Sequence, residues 1–523
     1  MSETDSREKP NMLTTNEIED IADREAEDHF GAVVLDVGLD AEKHGHTGYK
    51  LAADGHTVLI PQPSEDPDDP LNWSSFKKHM LLFILALSAF CGDFGSGAGI
   101  PCIVLQGAEW GMNPSVVNYA GNLNVIMLGI GGVFWIPFTY WWGRAPVLFW
   151  TTFAGALFTL GATLAPNFTV FYGMRALMGF TLTACQTIGL SFVKDMFFFH
   201  EHARKIGIWA AIFLVSAYLG PCLGNFIISG TGEWRNVFWV VFGLCCFDLI
   251  LIVLFADETW YIRNAPQKTP RGNRLLRLVG VWQVQNHKEL RLVSFPKSWM
   301  RLVKVLFRPT MLPIMFYYML SFMWAVGINI TTSILFETPQ SAGGYGFGAK
   351  SVGYIYFTPL VAVTLGEFFG HFFNDFMANR YIRQHNGVFE PECRLWTNYI
   401  AAFFMIPGLI IVGFGLQDHL HYMSLVMGWG MYVFGVLIAS VAITAYALDS
   451  YPTAAGEVSG FLNFARTIGG FSVGYFQQPW GAASGYAVSF GIQAAIVAVA
   501  IFVLASLHIY GKRMRVWGGP LHL

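Results

Sequence analysis

The sequence is poor in charged residues for its length. Lys, Arg, Asp and Glu make up 13% of its 523 residues, roughly half the share of about 25% that soluble domains carry. Hydrophobic residues make up 54%. The acidic residues are also crowded at one end, because 18 of the 35 lie in residues 1–70. This distribution predicts a membrane protein that carries a short acidic tail.

The sequence patterns of several other protein classes are missing. There is no nucleotide-binding P-loop, cofactor fingerprint or nucleophile–base motif, so we expect no enzymatic activity, cofactor, metal or nucleic-acid partner. The seven cysteines fit neither a disulfide framework nor a zinc site. The polar start MSETDSREKP is unlike a cleavable signal peptide. We expect residues 1–75 to form a disordered cytosolic tail.

Long apolar segments alternate with short polar ones along the rest of the chain. A helix that crosses a bilayer needs about 20 mostly apolar residues, and twelve segments qualify. The predicted fold is an all-α membrane protein with one bundle of six helices in residues 76–256 and a second in residues 310–511. Residues 257–309 connect the bundles, and residues 512–523 form a second cytosolic tail.

Positive charges indicate how these helices are oriented. Lys and Arg are concentrated in the polar segments on the same side as both termini, whereas Arg235 and Lys350 fall on the opposite side. Because basic loops stay in the cytosol, both termini are predicted to be cytosolic. We expect a monomer in the plasma membrane, or alternatively in the vacuolar membrane. The basic, amphipathic stretch 257–309 is expected to lie partly on the anionic inner leaflet, or to act as a tether.

The loop after the second predicted helix reads PFTYWWGRAPV. It resembles the G-x-x-x-D-R-x-G-R-R loop of the major facilitator superfamily, with Gly143 and Arg144 at matching positions. Tyr140 and Trp141 stand where the family has its Asp and Arg, and Ala145 replaces a basic residue. In the family this loop latches the two halves by charge, so the substitutions leave its gating role in this chain open.

Further motifs resemble the fungal twelve-helix drug:proton antiporter family. RALMG in the fourth helix matches the family's R-x-x-x-G at Arg175 and Gly179, and GPCLGN in the fifth is similar to G-P-x-x-G-G at Gly220, Pro221 and Gly224. DPDDPLNWS, EPECRLW and GEVSGFLNFARTIGGF are also similar to segments of that family. The resemblance implies two pseudo-symmetric bundles and antiport. We expect the kinked, glycine-lined fifth helix to rock against the C-terminal half.

Charged residues inside apolar segments are functional candidates, since each costs about 2.5–3.5 kcal/mol to insert at mid-membrane. Asp93 is predicted to lie roughly 22 Å from the cytosolic face, at a depth similar to that of Arg175. In the family, the first and fourth helices both face the central cavity. We hypothesise that Asp93 and Arg175 are neighbours whose pairing varies with protonation. The alternative is a static ion pair that orients two helices.

Other charges have several possible roles. Glu367 is a candidate for contact with a cationic substrate or for a second proton site, and Asp375 for an interfacial gate or helix cap. Arg466, with Glu457 two to three turns earlier, is expected to brace helices, but an anionic substrate would make it a ligand in the cavity. The sequon NFT makes Asn167 a candidate glycosylation site on the outer side.

Aromatic residues of the apolar segments could line a pocket for a greasy or planar molecule, although filler facing lipid is the alternative for each. The candidates are Phe94, Tyr317, Phe322, Trp324, Phe336 and Tyr354.

The predicted function is proton-coupled export of a small organic molecule, such as a drug or a secondary metabolite, by alternating access. The absence of a P-loop indicates an ion gradient as the driving force. Proton-coupled uptake of an organic cation or nutrient such as a polyamine is the alternative, because Asp93 and Glu367 are acidic. A nutrient sensor usually has longer cytosolic extensions, and a channel would not need the Gly-Pro helix.

Overall fold

A computed structural model describes residues 59, 61–262, 272–340, 344–385 and 389–519. Helices dominate these ranges, and no β-strand occurs within them. Twelve long helices follow one another: α1 (Ser75–Trp110), α2 (Pro114–Trp141), α3 (Arg144–Thr163), α4 (Phe168–Met196), α5 (Phe199–Thr231), α6 (Arg235–Phe255), α7 (Met311–Glu337), α8 (Ala349–Gln384), α9 (Trp396–Gln417), α10 (Tyr422–Ser450), α11 (Ala455–Ser484) and α12 (Tyr486–Gly518). The all-α fold class is confirmed.

Of the twelve long helices, α11 is the one without a stretch apolar enough to qualify as a membrane span. The other eleven long helices are long and apolar enough to cross a membrane. Five of its polar or charged residues are buried: Glu457, Asn463, Arg466, Thr467 and Gln477. Because α11 packs against α2 and α4 of the other half as well as against α7, these side chains have protein partners and do not face lipid.

Local sequence explains where the helices begin and bend. The side chain of Asn113 accepts a hydrogen bond from the Ser115 N–H and precedes Pro114 at the first turn of α2, both of which favour a helix start. The first α-helical part of α1 ends at Ala98, a 3₁₀ turn covers Ile100–Cys102, and the α-helix resumes over Ile103–Trp110. This turn changes which backbone carbonyls of α1 are available to other side chains.

The helices form two halves, α1–α6 and α7–α12, with contacts between them. The main contacts join α2 and α4 to α11 and α5 to α8. We call the end of the molecule that holds residues 142–143 and 389–395 the basic end. The opposite end, which holds residues 111–113 and 418–421, is the far end. The two halves therefore meet along a long interface that runs between the two ends.

Residues 61–74 differ from the sequence prediction of a disordered tail up to residue 75. Tyr261 donates a hydrogen bond to Asp66 over 3.0 Å, and the Ser64 hydroxyl lies 3.2 Å from the Tyr261 hydroxyl. Asp69 accepts a hydrogen bond from the Leu71 N–H. These polar contacts attach the segment to the chain after α6, which the composition of the tail does not reveal. Apart from residue 59 and Ser75, the first residue of α1, the rest of the predicted tail lies outside the described residues.

The connecting stretch between the halves is folded onto the basic end. Its described part contains three short helices, Arg274–Val279, Val281–Gln285 and Phe295–Leu306. Asp257 accepts hydrogen bonds from Arg277 Nε over 3.0 Å and from Lys77 Nζ over 2.9 Å. Burial would raise the pKa of Asp257, but these two cations lower it below its usual value. The stretch is therefore attached to α1 by charge.

Candidate functional site

Asp93 of α1 and Arg466 of α11 form an ion pair between the two halves. Arg466 Nη1 lies 2.9 Å from Asp93 Oδ2, and both residues are buried, with 6% and 4% of Arg466 and Asp93 exposed. Arg466 Nη2 also donates to Asn463 over 2.9 Å and to Gln186 of α4 over 3.4 Å. A buried charge pair of this kind is stable only when its remaining donors are also satisfied, and these amides supply that.

The hypothesis that Asp93 pairs with Arg175 is wrong. Arg175 Nη1 donates to the Gly95 carbonyl over 2.7 Å, and Nη2 donates to the Ser96 carbonyl over 3.1 Å. The reason lies in the turn within α1 after Ala98, where the Gly99 N–H bonds to the Ser96 carbonyl and so leaves the Gly95 carbonyl without its helical donor. Arg175 does lie beside α1, as its predicted depth close to that of Asp93 suggested. Its partners there are backbone carbonyls and not the Asp93 carboxylate.

A cavity lies between the ion pair and the far end. It has a volume of about 830 Å³ including the space at its mouth. Its walls come from α1, α2, α5, α7, α10 and α11, so both halves contribute. Four residues of α1 face the cavity: Asp93, Ser96, Gly97 and Ile100. Their spacing of three and four residues puts them on one face of the helix.

The walls of the cavity are mainly apolar, with a few neutral polar groups. The apolar residues include Ile100, Val125, Leu128, Leu214, Phe322, Val326, Ile330 and Leu437. Four polar groups on the walls make no hydrogen bond within the described part of the chain: the Ser96 and Tyr218 hydroxyls, Asn118 Oδ1 and Asn329 Nδ2. Among the described lining residues, Asp93 and Arg466 are the charged ones, and they pair with each other.

Most of the aromatic residues proposed for the cavity lie elsewhere. Phe94 stacks on Phe90 one turn earlier in α1. The Tyr317 hydroxyl donates to Asn398 inside the C-terminal half. Neither Phe94 nor Tyr317 is among the lining residues, because each projects from a different face of its helix than the residues that line the cavity.

The described lining of the cavity also lacks three further aromatic candidates: Trp324, Phe336 and Tyr354. Trp324 is buried, and Tyr354 is 58% exposed. On α7 the lining residues follow the series Phe322, Ala325, Val326, Asn329 and Ile330. Of the six aromatic candidates, Phe322 is therefore the one that lines the described cavity. Arg466, which the sequence made a candidate ligand for an anionic substrate, lines it as well.

Glu367 lies in α8, outside the lining of the cavity. Its Oε1 is 3.1 Å from His371 Nε2, one turn later on the same helix, and its residue is 6% exposed. Asp375 has a 65% exposed side chain at the basic end, where its nearest cation is Arg394 at 3.6 Å. The cavity therefore gives no support to a direct role of Glu367 in binding substrate. A proton-binding role for Glu367 stays a prediction, and so does a gating role for Asp375.

The two halves are joined by polar contacts at the basic end. Glu457, at the start of α11, is fully buried. It accepts hydrogen bonds from the Tyr140 hydroxyl over 3.2 Å and from Arg301 Nε over 3.0 Å. Lys194 of α4 donates to the Pro452 carbonyl over 2.7 Å. Tyr140, which replaces the family's Asp, thus meets an acid on the other half, and the halves are closed at this end.

Gly143 and Arg144 lie next to these contacts. Arg144 forms an ion pair with Asp195 of α4. Glu258 accepts hydrogen bonds from the N–H groups of Arg144 and Ala145 over 3.2 Å each, at the start of α3. Gly143 has a φ of 100°, and a Cβ there would lie 2.5 Å from Glu258 Oε2. Glycine is therefore required at this position by both backbone and space.

The glycines of the α5 motif face α1, whereas Cys222 between them contacts the Gly353 carbonyl of α8 in the C-terminal half over 3.5 Å. A Cβ on Gly220 would lie 2.5 Å from the Phe94 carbonyl, and one on Gly224 would lie 2.8 Å from Pro101. Pro221 is the closest side chain to Gly97. Glycines allow this backbone approach between neighbouring helices, so here they hold α1 and α5 together within one half.

Asn167 has a structural contact of its own. Its side chain accepts a hydrogen bond from the Val170 N–H over 3.0 Å and so caps α4. The residue is exposed at the far end. Glycosylation of Asn167 stays a prediction.

Sequence reasoning missed the neutral polar residues of the site. Gln186 and Asn463 hold Arg466, and Asn118, Tyr218 and Asn329 line the cavity. An amide in an apolar helix is itself a signal, because it costs free energy in lipid unless it has a partner or faces water. Searching the spans for amides as well as for charges would have found four of these five residues.

Two helical halves around a cavity with a membrane-embedded ion pair define a multi-pass membrane transporter. The family model for the Major Facilitator Superfamily matches residues 82–474, and the chain belongs to that family. It is accordingly a secondary transporter and not an enzyme.

Several known proteins similar in sequence to this chain are fungal transporters. An uncharacterised MFS-type transporter of Schizosaccharomyces pombe is 24% identical, with 89% of each chain covered. The efflux pump radE of Floropilus chiversii is 23% identical over 86% of this chain and 83% of its own. The proton:xylose symporter XylE has a similar fold, with a TM-score of 0.58 at 14% identity over 84% of this chain and 96% of its own.

Proposed function

We propose that the chain is a proton-coupled exporter of small organic molecules that works by alternating access. The observation that carries this proposal is the ion pair between Asp93 and Arg466 at the inner limit of the cavity. Protonation of Asp93 would remove the charge that holds Arg466, and so would weaken a contact between the halves. Proton binding and rearrangement of the halves would then be linked, which is what coupling requires.

The lining of the cavity supports a small, largely apolar substrate with hydrogen-bonding groups. Apolar walls favour burial of greasy surface, and the free hydroxyl and amide groups of Tyr218, Asn118 and Asn329 offer both donors and acceptors. The efflux pump radE among the similar proteins is consistent with export. Uptake of an organic cation is the second candidate, with Asp93 as its support. It is weaker, because Arg466 already neutralises Asp93 and Glu367 lies outside the lining.

A growth assay separates the two directions. The chain would be expressed in a yeast host that lacks its own exporters and polyamine importers. Resistance to toxic apolar compounds, lost when an uncoupler collapses the proton gradient, is the expected result for export. Sensitivity to toxic amine analogues without any resistance would overturn the proposal in favour of uptake.

The proposed setting is the plasma membrane with both termini cytosolic, so that the basic end faces the cytosol. The distribution of Lys and Arg supports this orientation. A fluorescent protein fused to the C-terminus would report the membrane by microscopy, and protease protection of that fusion in intact cells would report the side.

A further inference from the structure

The helix Phe295–Leu306 at the basic end carries three distinct rows of residues. One row packs against the protein: Ser298, Leu302 and Val305 are 1%, 4% and 0% exposed. Phe295 and Trp299 add ring contacts to Phe138 and Phe134 of α2. These contacts fix the rotation of the helix about its own axis. The directions in which its other faces point are therefore determined.

The second row is apolar and lies on the side away from the protein. Met300, Val303 and Phe307 are spaced at three and four residues and are 55%, 46% and 72% exposed. The end of α12 lies beside this row, because Arg308 Nη1 donates to the Gly519 carbonyl over 2.9 Å. There Trp517 is 82% exposed, so the apolar surface extends beyond the helix.

The third row is basic and runs along one flank of the helix, between the other two. It consists of Lys297, Arg301, Lys304 and Arg308, at spacings of four, three and four residues. Arg301 is drawn inward to Glu457, while Lys297 and Lys304 are exposed. Positive charge thus borders the exposed apolar row along the length of the helix.

We propose that the apolar and basic rows of this helix dock on the anionic headgroups of the bilayer in which the protein sits. The exposed apolar row would enter the boundary between headgroups and acyl chains, as amphipathic helices do at membrane surfaces. The basic row would meet lipid phosphates, whose attraction for Lys and Arg depends on anionic lipid. The exposed Trp517 fits the same interface, where Trp is enriched.

The position of the helix supports a bilayer over a soluble partner. Its Trp299 contacts Phe134, seven residues before α2 ends at Trp141, so the helix lies beside the last two turns of a membrane-spanning helix, with its apolar row on the side away from α2. Charge complementarity favours anionic lipid, since Lys297 and Lys304 are exposed on this flank, whereas Arg301 pairs with Glu457. Because the same helix holds Glu457 through Arg301, lipid bound here would steady the closed basic end.

The test attaches a fluorophore to the apolar row of the full-length protein through the substitution Val303→Cys. The matched control carries the same fluorophore at the exposed loop residue Lys288, through Lys288→Cys. Label bound by the unsubstituted protein measures the background from native cysteines. Both variants are reconstituted into phosphatidylcholine vesicles with and without phosphatidylserine. Brominated phosphatidylcholine quenches labels in the bilayer, and aqueous iodide quenches labels in water.

The expected result is quenching of the Val303 label by brominated lipid, increasing severalfold with phosphatidylserine, whereas the Lys288 label is quenched by iodide in both vesicles. The double substitution Lys297→Glu and Lys304→Glu should abolish the dependence on phosphatidylserine. If that double variant fails to fold, Lys297→Gln with Lys304→Gln should reduce the dependence instead.

Two results would overturn the proposal. One is a Val303 label that only iodide quenches in both vesicles. The other is a label that neither reagent quenches, which would mean that protein covers the row, for example the acidic residues 1–58. Neither result depends on transport, so this proposal and the proposed function can fail separately.

Discussion

Asp93 and Arg466 belong to opposite halves of the molecule, and their side-chain atoms Oδ2 and Nη1 lie 2.9 Å apart at the inner limit of the cavity. The pair is thus both a wall of the cavity and a contact between the halves. A change in the charge of either partner must therefore affect the binding of small molecules and the relative stability of the conformations together.

Arg466→Gln should destabilise the protein, because it leaves the buried Asp93 carboxylate without its cation. Breaking a buried ion pair from one side costs about 3–5 kcal/mol, and adding Asp93→Asn should restore part of that loss. The melting temperature of the detergent-solubilised protein measures both effects. Arg513→Gln, at an exposed residue near the end of α12, is the control. Equal melting of Arg466→Gln and wild type would show that the pair contributes nothing to the fold.

Arg301→Ala should increase the population in which the basic end is open. A hydrogen bond to a charged group contributes about 1.5–3 kcal/mol, so the equilibrium should shift roughly ten- to hundred-fold toward opening. Ser191→Cys reports opening, because Ser191 faces Gly456 of the other half within about 3.1 Å of a Cβ there. Faster reaction of this cysteine with a water-soluble maleimide is expected in Arg301→Ala and not in Lys288→Ala. No change in rate would exclude Arg301 as a gate residue.

Gly220→Ala should lower stability, whereas Gly230→Ala on the same helix should not. The added Cβ at Gly220 would lie 2.5 Å from the Phe94 carbonyl, and the one at Gly230 would meet nothing within 4 Å. Forcing atoms into a packed interface typically costs about 1–3 kcal/mol. Thermal unfolding of the two variants in the same detergent measures the difference. If both melt alike, the close approach of α1 and α5 does not limit stability.

The cluster around Asp257 should make stability dependent on pH in the acid range. Its pKa is lowered in the folded protein by Arg277 and Lys77 despite burial, so the carboxylate stabilises the fold above its unfolded pKa of about 3.9. That contribution is lost as the pH falls through the lower, folded value. Asp257→Asn should be less stable than wild type at neutral pH, and the difference should shrink in acid. Asp418→Asn, at an exposed residue, should show no such trend.

The sequence predicted the fold well because the length, hydropathy and charge of the helices are local properties. It placed Asp93 and Arg175 at similar depth, and Arg175 does bond to α1, at Gly95 and Ser96. Pairing, however, depends on helix rotation. A carboxylate that could meet either of two arginines is assigned only when the directions of the side chains are known, and these depend on packing between distant segments.

The same limit explains the aromatic residues. Composition indicates that aromatic side chains are abundant. Which of them faces the cavity depends on the rotation of α7 about its own axis, since Phe322 faces it while Trp324, two residues on, does not. Glu457 shows a further limit. Its partner Arg301 comes from the connecting stretch, more than 150 residues away in sequence, and no local pattern joins them.

The most direct test of the account is whether Asp93 carries the coupled proton. Purified protein in weakly buffered detergent solution is mixed with a transported compound identified by the growth assay, and a pH indicator records protons released or taken up. The account predicts a substrate-dependent proton signal in wild type and in Glu367→Gln, and none in Asp93→Asn that still binds the compound. An unchanged signal in Asp93→Asn would contradict it.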